Sequence, residues 1–288
     1  MLVAAVQFAP DKGKLSINLD RIAEGILQSA AEGAVFVAFP ETATTGYFLE
    51  GGVVELCLTS QQLADELGTR LSSKLESKVD VIVGYYQLED GNIYNSSAYL
   101  TCSSEGCVHN HSYQKFFLPT YGVFDEDRFV SRGRALGVVE TQLGKTGMMI
   151  CEDVWHSIFP TMTAVAGATT MVIPSASPAR GFNGEHIENH DRYGRLVRGI
   201  SEEHGVFCIL CQLVGFEGGK GFVGGSLITD PFGRVLVEAP VGREAMIMTE
   251  LDLGLVQIAR ASTPLISDLQ SAWPTIRNLV ADADHLPE

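Results

Sequence analysis

Three reactive side chains follow the ends of expected strands: VFVAF leads to Pro40-Glu41, HNHSYQ to Lys115, and TGMMI to Cys151-Glu152-Asp153. Strand ends are favourable places for chemistry, because the sheet positions a side chain rigidly while the following loop leaves it accessible. The three types are complementary. A thiol attacks as thiolate and needs a base or a positive charge beside it. A carboxylate takes the proton, and an ammonium stabilises the oxyanion that forms on an attacked carbonyl. Taken singly, Glu41 reads as a loop carboxylate, Lys115 as a surface lysine and Cys151 as a small core residue. Only their joint occurrence points to a nucleophilic site.

The elements that must carry these residues alternate in style. LVAAVQF at 2–8 predicts a strand, and Ser16 is placed to cap a helix running to about Glu32, with Ile22, Ile26, Leu27 and Ala30 on one face. VFVAF at 35–39 is a buried strand ended by Pro40. A helix from about Ser60 to Lys78 and a strand at 79–86 follow. NSSAYLT and VHNHSYQ, separated by Ser103, Ser104, Glu105 and Gly106, predict a hairpin. In the second half, TGMMIC at 146–151 is a strand and Trp155 to Ala166 a helix. MVIP at 171–174 is a strand, 185–204 a helix, and VFCILCQLVG, GGSLITD, RVLVEA and AMIMTELD are strands between Gly, Pro and Asp turns. No Pro-, Gly- or Ser-rich linker and no charge block divides the chain, so residues 1–288 are expected to form one domain. Mixing β-α-β units with hairpins favours mixed sheets covered by helices.

Bulk composition narrows the partners. The chain carries 35 acidic and 20 basic residues, a formal net charge of −15, and such a field disfavours nucleic acid and anionic membrane surfaces. With 45% hydrophobic and 19% charged residues it has ample material for a core. Its start lacks the basic stretch and apolar length of a secretory signal, and no run approaches a membrane span. Six cysteines in a chain of 288 residues without an export signal read as reduced thiols, so the cytoplasm is the expected compartment.

PET at 40–42, QKFFLPTYGVFDEDRF at 114–129 and GMMICEDVWH at 147–156 resemble, in order, the three catalytic segments of the nitrilase superfamily of carbon–nitrogen hydrolases. VQFAP near the start, SASPARG at 175–181 and GGSLITDPFGRVL at 224–236 extend the resemblance over nearly the whole chain. The resemblance implies an α/β fold built as a four-layer α-β-β-α sandwich. It further implies Glu41 as general base, Lys115 as stabiliser of the tetrahedral intermediate and Cys151 as nucleophile. Glu126, in VFDEDRF, matches the second glutamate that usually follows the lysine, and the backbone N–H after the cysteine would complete the oxyanion pocket. No cofactor is implied.

CEDVW and LPTYGVFDE resemble the glutaminase portion of glutamine-dependent NAD synthetases and stand-alone bacterial relatives more than plant nitrilases. The Ser-Gly-Gly-x-Asp-Ser loop of a synthetase portion does not occur, so NAD synthesis is not expected. Tyr121, Glu152 and Trp155 flank the catalytic set as candidate substrate-binding walls, and Arg180 could meet a substrate carboxylate. The expected substrate is a small-molecule primary amide. An N-carbamoyl amide is the alternative, a nitrile a weaker one because Glu152-Asp153 follow the cysteine, and an inactive regulatory or binding member a reading from another class. Metal binding is set aside, because Cys102, Cys107, His109 and His111 have atypical spacing and His186 and His190 lack a HExxH context. Cys208 and Cys211 have redox-motif spacing but lie inside an apolar strand, which favours core packing. The family implies a homodimer or larger homo-oligomer. The tail from about Ser262, with Leu265, Ile266, Leu269, Trp273, Ile276 and Leu279, is a candidate contact surface, as is the helix near 155–166.

Overall fold

A computed structural model describes residues 1–183 and 186–283. Among these residues two six-stranded sheets stack face to face. The first runs in the order Ala245–Glu250, Leu2–Gln7, Phe36–Ala38, Val79–Glu89, Asn92–Ser103, Gly106–Gln114. Leu2–Gln7, Phe36–Ala38 and Val79–Glu89 are parallel, and the outer pairs are antiparallel. The second repeats that plan in the order Val235–Glu238, Leu227–Thr229, Phe207–Gln212, Thr170–Ser175, Gly144–Met148, Gly137–Thr141, again with three parallel strands inside. Most inner strands, such as Phe36–Ala38 and Phe207–Gln212, read as largely apolar runs because both of their faces are covered, whereas Gly144–Met148 (GKTGM) does not.

Val3, Ala5 and Phe36 of the first sheet share a core with Met148, Val172 and Ile209 of the second. The helices Leu15–Ala31 and Ser60–Leu71 cover the outer face of the first sheet through Leu19, Ile22, Ile26, Leu63 and Leu67. Ile158–Val165 and Glu188–His204 contribute Phe159, Val197 and Ile200 to the core of the second half. Each such side chain, fully buried, contributes about 1.5–3 kcal/mol. The result is the expected α-β-β-α sandwich. Asp80, buried in the first sheet, accepts from the backbone N–H of Gln142 at 2.8 Å and so ties the two halves together.

Several element bounds differ from the sequence expectation. The first helix starts at Leu15, with Lys14 rather than Ser16 at its N-cap. The second stops at Leu71, where Ser72 turns the chain into extended geometry. The strand before the cysteine ends at Met148, and the expected helix from Trp155 to Ala166 is a 3₁₀ turn at Cys151–Trp155 followed by Ile158–Val165. The cysteine reading is corrected more substantially. Cys102 and Cys107 are disulfide-bonded, while Cys57, Cys151, Cys208 and Cys211 are free. The tight turn after Ser103 sets the antiparallel register so that Cys102 faces Cys107, with Cα atoms 4.1 Å apart. Their thiols therefore no longer support a reducing compartment. Among the described residues no helix is long and apolar enough to cross a membrane.

Candidate active site

The sandwich brings the three strand ends to one buried point. Glu41 lies in a turn three residues beyond Phe36–Ala38, pressed against the neighbouring strand at Gly84. A Cβ at Gly84 would lie 2.3 Å from Pro40 O, 2.5 Å from Thr42 N and 2.7 Å from Glu41 Cα, so only glycine admits the turn. Lys115 follows Gly106–Gln114 and is pinned on both sides of its backbone: its N–H donates to Asn95 O at 2.9 Å and its carbonyl accepts from Gly133 N at 2.8 Å. Cys151 opens the 3₁₀ turn with φ 47°, and Thr42 beside Glu41 has φ 50°. Non-glycine residues held at positive φ are costly and concentrate where function requires an unusual geometry.

Glu41 and Lys115 are fully buried and Glu126 nearly so. Lys115 Nζ donates to Glu41 Oε1 at 2.7 Å and to Glu126 Oε2 at 2.8 Å. Asn95, from the hairpin strand, bridges the same carboxylates: its Nδ2 donates to Glu41 Oε1 at 2.7 Å and also to Glu126 Oε1. Glu41 Oε2 accepts from the backbone N–H of Ala176, just beyond Thr170–Ser175, at 2.7 Å. Cys151 Sγ lies 3.1 Å from the Tyr193 hydroxyl on the helix Glu188–His204.

Asp153, buried two residues after the cysteine, fastens the turn. Its Oδ2 accepts from Tyr113 OH at 2.6 Å and Ile150 N at 2.9 Å; its Oδ1 accepts from Phe117 N at 2.9 Å and Phe116 N at 3.2 Å. One carboxylate thus joins the turn carrying Cys151 to the strand end carrying Lys115. Glu217 similarly holds the loop after Glu41, accepting from Tyr47 N and Phe48 N at 2.9 Å.

The electrostatics follow from burial. Desolvation opposes the Lys115 ammonium, but the Glu126 and Glu41 carboxylates outweigh it and hold its pKa well above the usual lysine value. Burial raises Glu126, with Lys115 pulling the other way. Burial and then the Glu41 carboxylate push the Cys151 thiol well above its ordinary value. At neutral pH the resting sulfur is therefore a thiol, and attack requires a base in the site.

At the surface, Tyr121 is 45% exposed and its hydroxyl donates to Glu152 at 2.9 Å. Arg180 lies over the Tyr121 and Phe124 rings at 5.6 and 5.2 Å. Trp155 packs edge-on against Tyr193, with Arg192 stacked 4.3 Å from the Trp155 ring centroid. A depression of about 250 Å³ is lined by Tyr121, Trp155, Arg180, Glu188, Asn189 and Arg192. A larger cavity of about 450 Å³ lies against Glu126, walled by Tyr47, Phe48, Tyr86, Phe124 and Lys220. Tyr121 is exposed and Glu152 and Trp155 are half-buried, whereas Glu41, Lys115, Glu126 and Cys151 are buried.

Cys208 and Cys211 are buried in the strand Phe207–Gln212; burial lifts the Cys208 thiol to about 12 and pushes Cys211 upward as well. Cys211 Sγ donates to Val6 O and Ala38 O, and Cys208 neighbours the Ser201 and Thr229 hydroxyls, rather than the Glu–Lys cluster. The suggested Cys102–Cys107–His109–His111 group loses two thiols to the disulfide, and the side chain of His186 lies outside the described residues. Among the described residues no group of three or more His, Cys, Asp or Glu is placed to hold a metal ion. Sequence reasoning missed Asn95, Tyr193, Ala176 N and the tether through Asp153. Asn95 sits in a run of small polar strand residues and Tyr193 within an ordinary helix, so neither carried a local signal. Asp153 was visible beside the cysteine, but its burial was not.

The sequence and the fold match known proteins. The sequence pattern of the carbon–nitrogen hydrolase family covers residues 2–261, and the chain belongs to that family. It is 28% identical over 254 residues to the glutamine-dependent NAD(+) synthetase of Acinetobacter baylyi, covering 87% of this chain and 44% of that protein. It is 31% identical over 241 residues to the synthetase of the same description from Xylella fastidiosa strain Temecula1, covering 81% of this chain and 41% of that one. The chain therefore spans less than half the length of these relatives. In three dimensions it superposes on a carbon–nitrogen hydrolase from Helicobacter pylori with a TM-score of 0.75, at 21% identity over 93% of this chain and 94% of the other. An amidase of the nitrilase superfamily from Nesterenkonia gives a TM-score of 0.70 at 21% identity, over 91% and 95% of the two chains.

Proposed function

We propose that the protein hydrolyses a small primary amide to the carboxylic acid and ammonia through a thioester on Cys151. The observation that carries this reading is the buried Lys115 ammonium clasped by Glu41 and Glu126 at 2.7 and 2.8 Å. Glu41 takes the thiol proton as sulfur attacks the carbonyl carbon. Lys115 has three donors, two of them on carboxylates, and the third meets the oxyanion together with the backbone N–H that follows Cys151. Glu41 then passes its proton to the departing nitrogen. Water attacks the thioester, Glu41 accepts its proton, and the acid leaves. Glu126 and Asn95 keep Lys115 and Glu41 in register throughout.

The charged rim favours an amide carried by an amino acid. Glu152 offers a partner for an α-ammonium, and Arg180 and Arg192 offer partners for an α-carboxylate. The glutamine-dependent relatives make the glutamine side-chain amide the first substrate to try. An ammonia-release screen over glutamine, simple amides, ureido acids and nitriles tests the reading, with Cys151→Ala as control. Turnover of amides that disappears in Cys151→Ala and survives in Cys208→Ala supports it. Release from ureido acids alone would replace the substrate class, and normal turnover by Cys151→Ala would remove the mechanism.

A further inference from the structure

We propose that Tyr193 is a catalytic residue whose hydroxyl donates a hydrogen bond to the Cys151 sulfur whenever that sulfur carries negative charge. The inference rests on Cys151 being the nucleophile and is independent of which amide is cleaved.

The hydroxyl is already in place. It lies 3.1 Å from Sγ, and the tyrosine is 2% exposed. Its helix is anchored by Val197 and Ile200 in the core, and its ring packs edge-on against Trp155 at 5.5 Å. Reorienting this donor would mean moving the helix, so it is preorganised for the sulfur. Lys115, the buried cation of the cluster, already donates to two carboxylates. Among the described residues the Tyr193 phenol is the side-chain group within hydrogen-bond distance of the sulfur, which leaves the third Lys115 proton for the oxyanion.

In the resting state either atom can be the donor. That ambiguity ends once the thiol proton moves to Glu41, because a thiolate has only lone pairs and must accept. The bond strengthens as charge develops, as a group acting on the transition state must. In acylation the sulfur lone pair forms the C–S bond, the carbonyl π pair moves to oxygen, and that pair returns as the C–N bond breaks with the Glu41 proton on nitrogen. The thioester sulfur is then neutral and a weak acceptor. In deacylation water adds to the carbonyl while Glu41 takes its proton. When the C–S bond breaks, its electron pair returns to sulfur, Tyr193 donates again, and Glu41 finally restores the thiol proton. The surroundings agree with this role. Burial and Glu41 push the Cys151 thiol up, whereas Lys115, Tyr193 and the Ala176 N–H oppose that rise. Burial and Cys151 keep the Tyr193 phenol itself well above its ordinary value, so it remains a donor.

The test follows alkylation of Cys151 by iodoacetamide against pH, with the adduct located by peptide mass. Tyr193→Phe keeps the ring and removes the hydroxyl. Alkylation should slow about tenfold at pH 7.5, equal to about 1.4 kcal/mol, and its pH midpoint should rise by about one unit. Site-specific 3-fluorotyrosine at position 193, a more acidic donor of almost the same shape, should move the midpoint downward. A merely structural tyrosine would not give shifts of opposite sign. Unchanged alkylation profiles in both variants, with Cys151 still labelled first in the unaltered protein, overturn the role of Tyr193 and leave the nucleophile standing. Preferential labelling of another thiol in the unaltered protein overturns both.

Discussion

Replacing Lys115 by Met would leave two buried carboxylates facing each other across a side chain of similar length but no charge. With an effective dielectric of about 20, each ion pair at 2.7–2.8 Å is worth roughly 6 kcal/mol of attraction before desolvation. Most of that is offset in the folded protein by the cost of burying the charges. What remains after the lysine is removed is repulsion between uncompensated carboxylates, and broken buried pairs typically cost about 3–5 kcal/mol. For a chain of this size the loss corresponds to a fall in Tm of roughly 5–8 °C. The pH dependence separates this cause from lost packing. Burial already raises Glu126, and without Lys115 it should rise further and take up a proton in the folded state. A carboxyl raised on folding favours the folded state below its unfolded value, and that advantage is lost as pH rises through its folded value. The deficit of Lys115→Met relative to the parent should therefore be smaller at pH 5 than at pH 8, by up to about 1.4 kcal/mol per pH unit. Denaturant unfolding across that range measures it, and Lys115→Met/Glu126→Gln should recover part of the loss. A deficit that is flat with pH, or a double variant no more stable than the single one, would refute the electrostatic account.

Gly84→Ala should push the Glu41 turn off the strand, since the added carbon meets backbone atoms at 2.3–2.7 Å. Amide turnover should fall about 100-fold for a displacement near 1 Å, while Gly199→Ala, with nothing within 4 Å, leaves it unchanged. Equal activity in the two variants would count against the fit at Gly84. Asp153 is raised to about 6, chiefly by burial. Its protonated form favours the folded state below about pH 4, and this contribution, about 3 kcal/mol at most, is lost as pH rises through about 6. Asp153→Asn should flatten that part of the stability profile; identical slopes would show that the carboxyl is not responsible. The helix Leu265–Ala283 buries Ile266 but leaves Leu265, Leu279 and Val280 44–62% exposed, and we expect it to join subunits in a homodimer. Light scattering of a fully active preparation at the single-chain mass of 31.1 kDa would contradict this.

Much of this protein can be read along the chain. Continuous apolar runs such as VFVAF mark doubly covered strands, because period and β-branching are local properties of the backbone and its neighbours. The positions of Glu41 and Cys151 after such runs were legible for the same reason, Lys115 was legible at the end of the predicted hairpin, and the surrounding motifs named the family. What the chain alone did not decide is which distant groups meet. Asn95 reaches Glu41 and Glu126 because strand register turns it inward at the right level. Glu41 can approach only because Gly84, more than forty residues later, lacks a side chain. Tyr193 comes to Cys151 because its helix docks on the second sheet, and Cys102 meets Cys107 because a tight turn sets their register. Local preferences specify elements, whereas these meetings follow from the stacking of two sheets, a sum of many weak long-range contacts that no single segment encodes.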